Sequence, residues 1–570
     1  MYKKIHYAIL TVLITAMLVT ITGCGMTPSD KSKQAVQIDV FSTSTASTTA
    51  AGVYDNTWWG KILKEEAGVS LNILPTGDQA QEKLQALMPG GELPDIVIFN
   101  SRKDVQNAIR AELLTNLDEH LDKLPNVEKN ASTAMQYYRD NISNDTGNLY
   151  AIPNEAGPAA FGAETNWGPY LRWDLYEKIG SPEIKTFDDY LPVLKQMQDA
   201  EPTNEDGKKT YGITLWKDWD NYSMFLGTEL SPTIGKDCGD QLAQLPFLQV
   251  DFDTGETMNI LDKDSEYINA LKFYFEANQL GILDPDSLTQ TYATAKDKLT
   301  EGRVFFSWWP WFNDTFNTVE NTNADEPKGF ALVVPENTKT LIAGENKIGA
   351  TWPIAIGAET KNIDACLRYV DFMYSIDGLQ LLFNGPEKET WKIDGSKPSL
   401  TDEAWKYIDD PNQELPEGGK WGDGYRILGF NGLTYAFINP DTGEPIHHTL
   451  WESTKQHNIE YQTKLQKDWT AATGYQTSVD YLKGNNLTLE MPLAKNLVAP
   501  MTDEISAKAA QIGDIVKSSS WKMVFAKDEA EFNSLYDEMM TKAEGLGLKD
   551  VYDSSLEGWN NAKKTAEEYQ

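Results

Sequence analysis

The chain has 570 residues, too many for one hydrophobic core, so at least two domains are expected. Its 41% hydrophobic and 24% charged residues suit a globular protein. The 85 Asp and Glu against 50 Lys and Arg give a formal net charge of −35, which disfavours nucleic acid and anionic membrane surfaces as partners.

Lys3 and Lys4 precede an apolar run from Tyr7 to Ile21, interrupted only by threonines. The run is too short, and too closely followed by polar sequence, for a transmembrane helix. It ends in LVTITGCG, which resembles a bacterial lipobox, with Ile21, Thr22 and Gly23 before a lipidated Cys24. The resemblance implies a lipoprotein signal peptide over 1–23, palmitate or a similar acyl chain on Cys24, and a polar tether over 24–34. A plain signal peptide with an incidental cysteine is the alternative.

VQIDVF (36–41) and VSLNIL (69–74) alternate apolar and polar residues as strands do, with a helical segment from Trp58 to Glu65 between them. Residues 79–88 read as a helix closed by Pro89-Gly90-Gly91. LPDIVIF (93–99) is mostly apolar, as in a parallel sheet covered on both faces. Strands and helices in this alternation indicate an α/β domain.

A second unit begins after LYAIP (149–153). Thr186 caps a helix, with Asp189 three residues on and Tyr190, Leu191, Leu194 and Met197 along one face. YGITL (211–215), RVFFSWW (303–309) and FALVVP (330–335) read as strands. Asn362 opens an amphipathic helix bearing Cys366, Leu367, Val370 and Met373, so Cys366 is expected as a buried thiol. A Cys238–Cys366 disulfide stays open, and the cysteines and five histidines show no zinc spacing. The C-terminal part is helical: Ile505, Ala509, Ile512 and Val516 repeat at helical spacing. Asp528 and Glu531 form a capping box for a helix ended by Gly545.

In open α/β sheets, ligands bind beyond the carboxyl ends of strands. That rule selects Asn100 and Ser101, Asn154 and Glu155, Trp216 and Trp219, and Trp309 and Trp311, with Trp167 as a further candidate. Amides, carboxylates and indoles together suit sugars, whose C–H faces stack on rings while their hydroxyls take polar partners. Arg102 and Lys217 leave a charged sugar open. The stretch GRVFFSWWPWF (302–312) packs six aromatic residues into positions 305–312. Strand alternation makes both of its faces apolar, so its first part reads as core and Trp309-Pro310-Trp311 as its edge.

Residues 201–212 are faintly similar to a calcium loop. With Gly207 sixth, Asn204 and Asp206 fit the third and fifth positions, but Pro202 and Ile213 stand where carboxylates belong. A solvated turn is the stronger expectation. No cofactor is called for, and no G-x-S-x-G, P-loop or H-E-x-x-H motif appears.

The order of motifs resembles the extracellular solute-binding lipoproteins of bacterial ABC importers, in the carbohydrate-binding group and its larger Gram-positive, LipO-like members. The residues that carry this are PGGELPDIVIFN (89–100), LLTNLDEHLDKLPNV (113–127), GNLYAIP (147–153), LRWDLYEKIGSPEIKTFDDYLPVLKQM (171–197), LTEGRVFFSWWPWF (299–312) and AIGAETKNIDACLRYVDFMYSIDGLQLLFNGPEKETWKIDG (355–395). The resemblance implies a type II periplasmic-binding-protein-like fold, two α/β lobes with a central cleft and crossing hinge strands. Lobe 1 would hold 35–153 and about 338–425, and lobe 2 about 154–337 and 426–570. It also implies an oligosaccharide ligand, permease partners, a monomer anchored on the outer face of the cell membrane, and no enzymatic activity. A family tryptophan after Gly-Pro often stacks on sugar, and Trp311 matches it. This chain lacks that glycine, so Trp309 shares the candidacy. A cell-surface glycoside hydrolase and a binder of peptides or another polar solute are the alternatives.

Overall fold

A computed structural model describes residues 35–43, 50–75, 79–159, 165–238, 245–350, 352–410 and 413–569. The expected signal peptide, the tether and Cys24 lie outside the described residues. No described helix is long and apolar enough to cross a membrane.

In chain order the strands begin with β1 (Val36–Ser42), β2 (Gly52–Val53), β3 (Val69–Ile73), β4 (Ile96–Ile98) and β5 (Ala151–Ile152). Then come β6 (Tyr170–Arg172), β7 (Lys236–Asp237), β8 (Leu248–Asp251), β9 (Thr257–Asn259), β10 (Phe306–Ser307) and β11 (Phe330–Leu332). The series closes with β12 (Thr340–Ile342), β13 (Ile354–Ile356), β14 (Trp391–Asp394), β15 (Lys397–Leu400) and β16 (Thr488–Glu490).

The main sheet has the order β2-β3-β1-β4-β13-β5. β1 runs parallel to β3 and β4, while β13 is antiparallel to both β4 and β5. Every residue of β4 is buried, as a strand covered on both faces requires. The helix Ile363–Phe372 packs its apolar stripe here, and Cys366 is fully buried in it. Burial pushes the Cys366 thiol up to about 12. Cys238 lies in the second core, where its thiol donates to the Gln249 side-chain oxygen at 3.8 Å, and it does not pair with Cys366.

A second core gathers the three-stranded sheet β10-β6-β11 and the helices Tyr190–Ala200, Glu266–Gln279, Asp503–Val524 and Glu529–Gly545. Thr186 and Asp189 form the expected capping box. Asp528 caps its helix by accepting from the Glu531 N–H, while the Glu531 carboxylate accepts from Lys527, one residue earlier than the motif places it. Residues 211–215 do not form a laddered strand. They make single bridges from Tyr211 to Val304 and from Ile213 to Leu283.

The cores divide the chain differently from the expected boundaries. Leu428, Leu433, Ile446 and Trp451 complete the first core, although a limit near 425 assigned them to the second. Asn384 holds this stretch by donating to the Ile446 carbonyl at 2.8 Å. The helix Leu548–Glu568 serves both, with Val551 in the second core and Trp559, Ala562 and Ala566 in the first. Its length lets one amphipathic element reach two bodies, which periodicity alone does not reveal.

Candidate functional site

Sheet direction brings one set of candidates together. The carboxyl ends of β4 and β5 and the amino end of β13 share one edge of the first sheet. Asn100 follows β4, Asn154 and Glu155 follow β5, and Trp352 precedes β13. The chain leaves and re-enters the first body here. Gly157 and Asn346 pair antiparallel across the two crossing segments, and Ala156 bridges Leu433.

Asn154 is fully buried. Its side-chain oxygen accepts from the backbone N–H groups of Asn431 at 2.8 Å and Gly432 at 3.2 Å. It therefore clasps the third segment to the crossing and presents no oxygen to solvent. Gly432 is required at this join: its φ is 69°, and a Cβ would lie 1.7 Å from the Met373 carbonyl oxygen. Glu155 is half-buried at a φ of 50° and accepts from the Asn431 amide at 3.2 Å. Burial raises its pKa, and the Asn431 hydrogen bond partly offsets this. Trp352 has a φ of 62°, a strained conformation for so bulky a residue. Its indole N–H donates to the exposed Asn100 carboxamide at 3.0 Å.

The second body turns a corresponding edge toward the crossings. Trp173 and Arg172 are bonded to the partner strands, and Gly168 donates to the Trp308 carbonyl at 2.9 Å. Thus the segment entering β6, the end of β10 and the segment leaving β11 lie side by side. Trp309 is extended, and Pro310 opens a short helix, Pro310–Asn313, which redirects Trp311.

The rings here form one cluster. Trp309 and Trp311 stack at 5.1 Å, Trp219 and Tyr292 lie 4.7 Å apart, and Trp216 meets Trp219 edge-on at 5.1 Å. Trp219 lies 6.0 Å from Trp311 and closes the group. Exposure separates the candidates: Trp311 is 40% exposed, whereas Trp309 is 3% and Trp216 is 2%. Trp309 and Trp216 form the backing, and the accessible surface is Trp311 with half-buried Trp219 and Tyr292. Trp167 is half-buried against the second core.

Other expected residues serve the fold. Ser101 caps the helix Arg102–Arg110, accepting from the Asp104 N–H and donating to its carboxylate at 2.8 Å. Arg102 is buried and donates to the Tyr137 hydroxyl and the Asn496 carbonyl, so it is not offered to a charged sugar. The exposed Lys217 ammonium lies 5.2 Å from the centre of the Trp521 ring. The calcium-like segment is a turn: Asn204 accepts from the Lys208 N–H at 2.9 Å and donates to the Glu301 carbonyl at 2.8 Å. Its carboxamide is thereby spent, and Asp206 is exposed. Among the described residues no group of three His, Cys, Asp or Glu is placed to hold a metal ion.

Sequence reasoning missed Tyr292, Trp352 and Asn431. Tyr292 is held by Asp218, whose carboxylate accepts its backbone N–H at 2.8 Å, a contact over 74 positions that no local pattern signals. Trp352-Pro353 repeats the Trp-Pro order of 309–310 and was the one readable hint.

Two α/β bodies joined by crossing segments, with polar groups on one edge and rings on the other, define a binding protein of the type II periplasmic-binding-protein-like fold. The family described as bacterial extracellular solute-binding protein matches residues 58–385, more than half of the chain, and the chain belongs to it. Solved structures agree in fold. The HMO binding ABC-transporter associated solute binding protein from Bifidobacterium longum infantis is 17% identical with a TM-score of 0.58, over 92% of this chain and 99% of that one. The Streptococcus pneumoniae ABC-transporter substrate binding protein FusA, in complex with kestose, is 17% identical with a TM-score of 0.60, over 93% and 100%. The N-glycan transport solute binding protein NgtS from Streptococcus pneumoniae is 15% identical with a TM-score of 0.57, over 93% and 99%. No curated protein matches the chain by sequence.

Proposed function

We propose that the protein captures an oligosaccharide between the two edges and delivers it to the permease subunits of an ABC importer. The exposed Trp311 ring, backed by Trp309 and flanked by Trp219 and Tyr292, carries this reading. A pyranose face stacks on such a surface, while Asn100, Glu155 and Asn431 on the other edge supply hydroxyl partners. Contacts from both edges would favour a closed arrangement of the bodies as a population shift. The HMO, kestose and N-glycan named for the structural neighbours support the ligand class. In this reading the protein is a monomer, binds without cleaving, and is held on the outer face of a Gram-positive membrane by acylated Cys24.

Thermal unfolding with a library of oligosaccharides, with product analysis on the same samples, tests the reading. At least one sugar is expected to raise the melting temperature and remain intact. Cleavage would move the protein to the glycoside hydrolases, and failure of every sugar would favour a peptide or another polar solute. Labelling with a palmitate analogue in cells should be lost in Cys24→Ser.

A further inference from the structure

Trp308 and Trp309 are neighbours in sequence but face opposite sides. The Trp308 side borders a second concavity, a cavity of about 450 Å³ lined only by residues between 187 and 337. This volume falls within the range of small-molecule sites, about 300–1,000 Å³. None of the rings around Trp311 lines it.

Half-buried Phe187 forms a platform in this groove. Its ring stacks on Trp308 at 5.3 Å and an interplanar angle of 7°, and meets Phe273 edge-on at 4.9 Å. The ring is thus fixed by Trp308, Phe273 and Tyr190, and it lines the groove. Glu266 is held by Lys236 at 2.6 Å and by the Asn269 amide at 3.2 Å, which leaves the Asn269 carbonyl oxygen to accept from a ligand. Lys272 is exposed and makes no ion pair among the described residues. Glu276 has a pKa raised by burial and then by Asp188.

Three carboxylates, on Asp188, Glu266 and Glu276, face the two ammonium groups of Lys236 and Lys272. This near balance favours neither an anion nor a metal ion. Donors and acceptors together, beside a fixed ring, suit a neutral polyhydroxylated ring. We propose that this groove is a second saccharide site, which takes a neutral sugar ring against Phe187, apart from the Trp311 surface. It rests on the carbohydrate reading for its ligand class alone.

Saturation-transfer NMR with maltotriose, cellotriose, mannotriose and kestose tests this on the whole protein and three variants: Trp311→Ala, Asn269→Trp and the two combined. Asn269 is exposed on its helix, so a tryptophan there fills the groove without entering the core. Trp311→Ala should keep a residual signal from at least one sugar, and the combined variant should lower it to what the weakened Trp311 surface alone supplies. Phe187→Leu, which keeps apolar volume without the flat ring, should weaken the same signal. The proposal is overturned if the combined variant keeps the residual signal undiminished, or if Trp311→Ala has none. A wild-type signal unchanged by Trp311→Ala but lost in Asn269→Trp would instead sink the interlobe reading and leave the groove standing.

Discussion

The two sides of the segment Phe305–Phe312 use the same residue type for opposite ends. On one side Trp308 is 3% exposed, its indole N–H donates to the Tyr274 hydroxyl at 3.0 Å, and its ring is covered by Phe187 and Phe306. On the other, the stack begins with equally buried Trp309 and ends with Trp311 at 40% exposure. A ring with its polar atom satisfied and both surfaces covered is core. A ring with one surface covered is rigid and available. Pro310 makes the difference, because it ends the extended run and turns Trp311 outward.

Substitutions can break this comparison. Trp309→Ala should cost about 3–5 kcal/mol of stability, as removal of a buried large ring does, and urea unfolding would measure it. Trp311→Ala should leave stability within about 1 kcal/mol but weaken the best-binding sugar by about 1–3 kcal/mol in calorimetric titration. If the two variants behaved alike in both measurements, backing and surface would not be separate roles.

Acid should loosen the first body before the aromatic surface. His447 and His448 are buried there with ring centroids 4.5 Å apart, and burial lowers both, His448 to about 4. In the unfolded chain a histidine titrates near about 6.5. The stability of keeping these rings neutral is complete above that value. It is lost as pH falls toward the folded value, by about 1.4 kcal/mol per pH unit for each histidine. Unfolding between about pH 7 and pH 4.5 should show this slope, and His448→Gln should flatten it. The smallest effect is expected on the polar edge. Asn100→Ala frees the Trp352 indole and should weaken sugar binding by about 0.5–1.5 kcal/mol.

Much of the architecture was legible. Val36–Ser42, Val69–Ile73 and Ile96–Ile98 announced themselves by alternation or by continuous apolar character, and Thr186 and Asp528 by their capping residues. The candidate site was legible only by loop. Asn100, Glu155 and Trp311 stand at the strand ends where topology placed them. The same rule also chose Ser101 and Asn154, because it cannot tell a side chain that meets a ligand from one that caps a helix or clasps a hinge. Likewise, nothing local distinguishes Trp309 from Trp311. Their difference is burial under Trp216 and Trp219, roughly ninety positions away in sequence. The body boundary near 425 was misplaced because Leu433, Ile446 and Trp451 find their partners only in three dimensions.

A crystal structure of the protein with its best-stabilising oligosaccharide tests the central claim most directly. A sugar ring should lie against Trp311, with Trp309 still buried behind it and hydroxyls bonded to Asn100, Glu155 or Asn431 on the opposite edge. A complex in which Trp311 stays open to solvent while the sugar is held elsewhere would contradict the account.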